Sequence, residues 1–154
     1  MNIDESSFPK QETLPLLKSA EFLLNECRMV LPGIQALFGF QLIAVFSSNF
    51  FQLLLPFEQK LHLFALVLTT ISIAFVMTPA AFHRQLGSTR ITEEFIRLAS
   101  RLLLWGMWPL LSALCIDLYL IAQIIFKGAI ALMITTIVAS LFISLWFILP
   151  QIKK

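Results

Sequence analysis

The chain has 154 residues, of which 58% are hydrophobic and 13% are charged, and its formal net charge is +2. Soluble domains contain roughly 45–50% apolar and about 25% charged residues, so this composition excludes an ordinary soluble globular protein. Uncharged stretches take up most of the sequence and leave no room for a separate soluble catalytic domain.

The N-terminal segment, residues 1–29, carries a helical pattern. Pro15 suits the first turn of a helix. One face at helical spacing is apolar, formed by Leu16, Leu17, Ala20, Leu23, Leu24 and Cys27. The opposite face is polar, formed by Lys18, Glu21, Asn25 and Arg28. This pattern predicts an amphipathic helix on the membrane surface, and a partner-binding helix is the alternative. Pro32 and Gly33 then predict a break before the chain enters the bilayer.

Four long uncharged stretches follow, interrupted within their length only by Asp117. An apolar stretch of about 18 or more residues can cross a hydrocarbon core of roughly 30 Å. The stretches are continuous rather than alternating, which favours helices over a barrel. The predicted spans are residues 31–51, 61–82, 102–126 and 129–149. Because the connections are short, residues 30–152 are predicted to form an all-α, up-down-up-down four-helix bundle.

Helices in lipid pack through small residues, because lipid leaves no hydrophobic drive for Leu to meet Leu. Each span offers a candidate stripe: Gly33, Ala36, Ala44 and Ser47; Ala65, Thr69, Ser72 and Pro79; Gly106, Ala113 and Asp117; Thr136, Ser140 and Ser144. We predict that these stripes face the interior of the bundle, and a bundle of this size has no pore.

The distribution of Lys and Arg predicts the orientation. With four spans, nine of the 11 basic residues share one side with both termini. They are Lys10, Lys18, Arg28, Arg84, Arg90, Arg97, Arg101, Lys153 and Lys154. Only Lys60 and Lys127 lie on the other side, so the positive-inside rule puts both termini, including the basic residues 153–154, in the cytoplasm.

Asp117 is the single charged residue inside a span. A carboxylate there costs on the order of 2.5–3.5 kcal/mol on insertion scales, and it needs a hydrogen-bonding partner. The candidate partners are Gln41, Thr69, Thr70 and Thr136. Asp117, Gln41 and Thr69 are therefore a candidate intramembrane polar site. Its functional interpretation is a proton relay or ion site, and its structural interpretation is a hydrogen bond that holds the bundle together.

The two histidines do not suit a shared haem. His62 and His83 mark opposite ends of the second span and lie about 31 Å apart along a helix. We interpret both as residues of the membrane interface. The sequence also contains no metal-ligand cluster, nucleophile elbow or glycine-rich phosphate loop, so the prediction includes no catalytic residue, cofactor, metal or nucleic-acid partner.

Two short motifs carry a family resemblance. The first is Leu24 to Arg28, followed by Leu31 to Gln35 and by Phe38 and Phe40; the second is Pro79 to Arg84. Over about residues 21–103 the chain resembles an uncharacterised bacterial family of small four-pass membrane proteins, a domain of unknown function. The resemblance implies residence in the bacterial inner membrane and supplies no reaction.

The same motifs bring Glu26, Arg28, His83 and Arg84 to one interface. We predict that they form a hydrogen-bonded latch between the surface helix and the second span. A dock for a lipid headgroup, anion or partner is the alternative.

Two function classes remain open at the level of sequence. The first is an accessory or scaffolding subunit, without catalysis of its own, that contacts other membrane-protein subunits through lipid-facing helices. The second is a small transporter or channel that self-associates and uses Asp117 in a shared pathway.

Overall fold

The computed structural model describes residues 16–86 and 93–152, and it is helical nearly throughout this part of the chain. The helices are α1 (Leu16–Val45), α2 (Phe50–Leu53), α3 (Pro56–Leu86), α4 (Glu93–Phe126), α5 (Ala129–Ile143) and α6 (Leu149–Ile152), with a π-helical turn at Ser144–Ile148 between the last two. Four helical stretches are long and apolar enough to cross a membrane: Lys18–Val45, Pro56–Gln85, Glu93–Phe126 and Ala129–Ile152. The predicted all-α fold with four spans is thus confirmed.

The break predicted at Pro32 and Gly33 is wrong, because α1 runs without interruption through both residues. The apolar face of its first half packs on protein. Leu23 and Cys27 join a buried cluster with Val76 of α3 and Phe95 of α4. The surface helix and the first span are therefore one continuous helix. The connection between the first two spans also differs from the prediction. The predicted spans leave residues 52–60 between them, whereas α3 already begins at Pro56 and the observed connection, which includes α2, precedes it. Expectations for residues 1–15, 87–92 and 153–154 lie outside the described part.

The best-packed interface joins α3 and α4, where the predicted small-residue stripes are confirmed. Ala65, Thr69 and Ser72 are fully buried. The Ser72 Oγ donates a hydrogen bond of 2.9 Å to the carbonyl oxygen of Gly106. At Gly106 a Cβ atom would lie 3.1 Å from the Cβ of Phe75, so the two backbones approach closely because no side chain separates them.

Two of the predicted small-residue stripes do not face the core. The predicted stripe of α5 points outward, since Thr136, Ser140 and Ser144 are exposed and each hydroxyl donates to a carbonyl of its own helix. Ala131 is the buried residue of α5. Gly33 and Ala36 of α1 are likewise exposed. The core therefore consists of α1, α3 and α4, and α5 packs chiefly against α4.

The turn between α4 and α5 depends on Gly128. Its φ is 71° and its ψ is −137°, a conformation that is essentially restricted to glycine. We expect Gly128→Ala to lower the free energy of unfolding by about 1–3 kcal/mol, although no atom within 4 Å obstructs a Cβ there. Thermal unfolding in detergent measures this loss. Gly33→Ala is the control, because it lies in a helix with open space around it and should not destabilise the protein. Equal effects of the two substitutions would contradict the conformational argument.

Candidate functional site

Three polar side chains from three helices meet near one end of the core. They are Gln41 of α1, His62 of α3 and Asp117 of α4. Gln41 and His62 are only 3% and 6% exposed, and the side chain of Asp117 is 17% exposed. We call these residues the polar cluster. It is held within a single chain.

Local structure at the start of α3 determines where His62 lies. Pro56 occupies the first turn, where its missing N–H costs no helical hydrogen bond. The Glu58 carboxylate accepts a 2.8 Å hydrogen bond from the backbone N–H of Leu55 and so caps the helix. His62 follows one turn after Glu58. The ring of Phe50 from α2 then packs edge-on against the imidazole, with the ring centroids 5.3 Å apart.

The hydrogen bonds of the cluster define which ring nitrogen of His62 carries a proton. The Nε2 atom lies 2.9 Å from the backbone carbonyl oxygen of Gln41. A carbonyl oxygen only accepts, so Nε2 must donate, and the tautomer follows from this network. In a neutral imidazole the other nitrogen, Nδ1, is then an acceptor.

That acceptor faces a second acceptor. His62 Nδ1 lies 3.5 Å from the Oδ1 atom of Asp117. Two bare acceptors at this distance repel each other, so a proton between them favours the arrangement. The proton makes the pair either imidazolium and carboxylate or imidazole and carboxylic acid. Both forms have zero net charge, which lowers the cost of placing Asp117 in a membrane.

The hydrogen bond from Gln41 also supports a proton between His62 and Asp117. Its Nε2 donates a 2.6 Å hydrogen bond to Asp117 Oδ2, so this oxygen acts as an acceptor and the shared proton belongs on the Oδ1 side. The Oε1 atom of the same amide is buried, and it has no hydrogen-bond partner within the described residues. The side-chain amide therefore has one strong contact, to the carboxylate.

A cavity of about 410 Å³ opens beside the polar cluster. Its wall is mostly apolar, with Leu37 and Phe40 from α1 and Leu120 and Ile124 from α4. Gln41, His62 and Asp117 converge on it as polar groups. A mostly apolar pocket with a few convergent polar groups is the usual form of a ligand or ion site.

A second opening lies between α1 and α3 near the opposite end of the core and has a volume of about 710 Å³. We call it the basic groove, because Arg28, His83 and Arg84 line it. Ala65, Thr69 and Ser72, all fully buried, occupy the length of α3 between the two openings. The two openings are therefore separated by packed helix.

Of the predicted partners of Asp117, Gln41 is confirmed and the threonines are wrong. Thr69, Thr70 and Thr136 each donate to a carbonyl oxygen four residues earlier in their own helix, at distances of 3.1, 2.9 and 2.8 Å. A hydroxyl in a helix reaches this carbonyl without any help from tertiary structure.

His62 is the residue that sequence analysis missed, because it was treated as an interface residue. Helix registration could have found it. His62 lies six residues from the start of α3 and Asp117 nine residues from the end of the antiparallel α4. These offsets differ by only about 4.5 Å in depth. A comparison of depths in neighbouring spans would have paired the two residues.

The structure brings together three of the four residues of the predicted latch. Arg28, His83 and Arg84 share the basic groove, but Glu26 is not among the lining residues. Within residues 16–86 and 93–152, the ion pairs are His62–Asp117 and Arg97–Glu93, and neither involves Glu26. The hydrogen-bonded latch is therefore wrong. A helix places neighbouring residues about 100° apart, so Glu26 and Arg28 need not face the same side.

No group of three or more His, Cys, Asp or Glu residues with metal-binding geometry occurs within the described ranges. A family model with the description "Family of unknown function (DUF6328)" matches residues 18–150. The chain belongs to this family. No curated protein and no solved structure matches the chain. For this DUF6328 member the resemblance to a family of unknown function is confirmed, and its function must be argued from the polar cluster and its surroundings.

Proposed function

We propose that the protein transports protons across the membrane, using the His62–Asp117 pair as the binding site for the proton in transit. The observation that carries the proposal is the 3.5 Å contact between two groups that need one proton between them. Ionisable residues inside spans most often serve ion or proton pathways. The sequence offered Asp117 without a second titratable group, and His62 supplies that group. The process involves no covalent catalysis.

The two openings support the proposal because they lie at opposite ends of the core. The cavity lies beside the pair, and the basic groove lies near the far end of α3. His62 and Val76, which line the two openings, are about 21 Å apart along α3. Passage therefore requires a rearrangement of the packed region. The α1–α3 interface is the candidate for this movement, because α3 packs far more extensively against α4 than against α1.

The polar cluster is complete within one chain, so the proposal does not require the shared oligomeric pathway considered from the sequence. We retain the membrane residence, bacterial origin and cytoplasmic termini as part of the proposal. The positive-inside distribution then puts the polar cluster nearer the extracytoplasmic surface.

Proton flux into liposomes tests the function. Purified protein is reconstituted with an internal pH indicator, and a potassium gradient with valinomycin supplies the driving force. We expect faster acidification than in protein-free liposomes. Equal rates would contradict the proposal.

The protonation state of the site can be measured separately. The chain contains two histidines, so ¹⁵N-histidine NMR of the protein gives two sets of ring signals, and His62→Gln identifies those of His62. We expect the His62 Nε2 to remain protonated throughout the titration, because it donates to Gln41. We expect the proton shared with Nδ1 to be lost as the pH rises. An Nε2 that behaves as an unprotonated acceptor would contradict the assigned network.

An accessory or scaffolding role is the second candidate, and the outward face of α5 favours it. Thr136, Ser140 and Ser144 form an exposed line of small residues that would allow another helix to approach closely. Purification in mild detergent followed by mass spectrometry tests this role. Stoichiometric unrelated subunits that are lost in Ser140→Leu would support it, and a lone chain would contradict it.

A further inference from the structure

The basic groove is positively charged and has no acidic residue among its described lining residues. Arg28 projects from α1, and His83 and Arg84 come from the last turns of α3. The His83 ring rests against Phe95 of α4, with centroids 6.1 Å apart. Glu26 is not among the lining residues, so the described lining holds two guanidinium groups and no carboxylate.

The two arginines are also free of competing contacts within the described residues. Neither Arg28 nor Arg84 forms an ion pair with any residue of 16–86 or 93–152, in contrast to Arg97, which lies 3.4 Å from Glu93. Guanidinium groups bind phosphate in a bidentate manner that matches their planar fork. Two unpaired guanidinium groups beside one groove therefore favour a phosphate group as the occupant.

The remaining walls of the groove are apolar. Apart from Gln85 and the thiol of Cys27, they are formed by the apolar side chains of Leu24, Leu31, Val76, Met77, Ala80 and Ala81. A free phosphate ion gains nothing from these side chains, whereas acyl chains that extend from a phosphodiester would pack against them. The combination fits a molecule with an anionic head and apolar tails.

We infer that the basic groove is a binding site for an anionic phospholipid, with Arg28 and Arg84 on the phosphate and the acyl chains between α1 and α3. His83 lies beside the phosphate and adds a further hydrogen-bond donor. Basic pockets between membrane helices recognise lipid headgroups by this chemistry. The inference does not depend on proton transport, because it uses neither His62 nor Asp117.

Native mass spectrometry with two lipids of identical acyl chains tests the inference. The full-length protein in non-ionic detergent is mixed with equal amounts of phosphatidylglycerol and phosphatidylcholine. We expect wild-type protein to retain phosphatidylglycerol preferentially. In Arg28→Gln/Arg84→Gln we expect retention to fall by roughly tenfold or more, because each charge-assisted hydrogen bond contributes about that factor.

Arg97→Gln/Arg101→Gln is the matched control, since it removes the same charge from exposed positions of α4 outside the groove. It should retain the lipid as wild type does. Arg28→Lys/Arg84→Lys keeps the charge and loses the bidentate fork, so we expect an intermediate loss, and this variant also serves if the glutamine variant does not fold.

Three results would overturn the inference. One is equal retention by the glutamine variant and its control. Another is equal retention of the two lipids by wild type. The third is complete displacement of the lipid by millimolar inorganic phosphate, which would assign the groove to a free anion.

Discussion

Asp117→Asn is expected to abolish proton flux while leaving the fold intact. The asparagine Oδ1 can accept the hydrogen bond that Gln41 Nε2 now donates over 2.6 Å, and its Nδ2 can donate to the Nδ1 of His62. Every hydrogen bond of the cluster is thereby retained, but the proton between the two side chains can no longer leave. We expect a free energy of unfolding within about 1 kcal/mol of wild type and flux no faster than in empty liposomes.

Asp117→Ala is expected to lose both stability and transport, whereas Asp117→Asn loses transport alone. It leaves the Gln41 Nε2 and the His62 Nδ1 without their partner in a mostly buried site, while the His62 Nε2 keeps its hydrogen bond to the Gln41 carbonyl oxygen. We expect it to lower the free energy of unfolding by about 1–3 kcal/mol in addition to abolishing flux. Unfolding in a detergent series and flux in liposomes measure the two effects.

Glu94→Gln is the control for these variants, because it makes the same acid-to-amide change at an exposed position of α4 far from the cavity. It should preserve both flux and stability. Flux that persists in Asp117→Asn would contradict the proposed function. An Asp117→Asn protein as unstable as Asp117→Ala would contradict the hydrogen-bond network instead.

Gly106→Val is expected to lower the stability of the protein by forcing α3 and α4 apart. Even a Cβ at this position would lie 3.1 Å from the Cβ of Phe75, an atom attached directly to the backbone of α3 that cannot rotate away. The branched side chain of valine must therefore push α3 and α4 apart and strain the hydrogen bond from Ser72. We expect a loss of about 1–3 kcal/mol or more in the free energy of unfolding.

Gly39→Val is the matched control for this substitution. Gly39 lies inside α1, and no atom within 4 Å would meet a Cβ there. Thermal unfolding in detergent compares the two variants. If both lose the same stability, helix propensity rather than close packing of α3 and α4 explains the effect.

Asp117 was recognisable from the sequence as a site residue because charge is rare inside a span, and the cost of burying it implied a partner. Gln41 was among the proposed partners for the same reason. His62 was not, because one histidine near the end of an apolar stretch is typical of a membrane interface. Its role depends on the register between α3 and α4, which is determined by small residues such as Gly106 and Ser72 that are too common to be informative alone.

The predicted latch provides a second contrast between sequence and structure. The sequence grouped Glu26 with Arg28, His83 and Arg84 because all four lie at similar depth. The structure separates the acid from the bases, since rotation about the axis of α1 determines which residues enter the groove. This separation changes the chemistry from a latch between an acid and bases to a site lined by basic residues.

The amino-acid sequence by itself determined the all-α class and the number of spans. These properties depend on the cost of transferring each residue into lipid, which is additive along the chain. Only the tertiary structure decided that α1 continues through Pro32, that α5 lies outside the core and that His62 faces Asp117. These properties depend on the rotation and register of helices against one another, and such contacts involve residues far apart in the chain that no local pattern encodes.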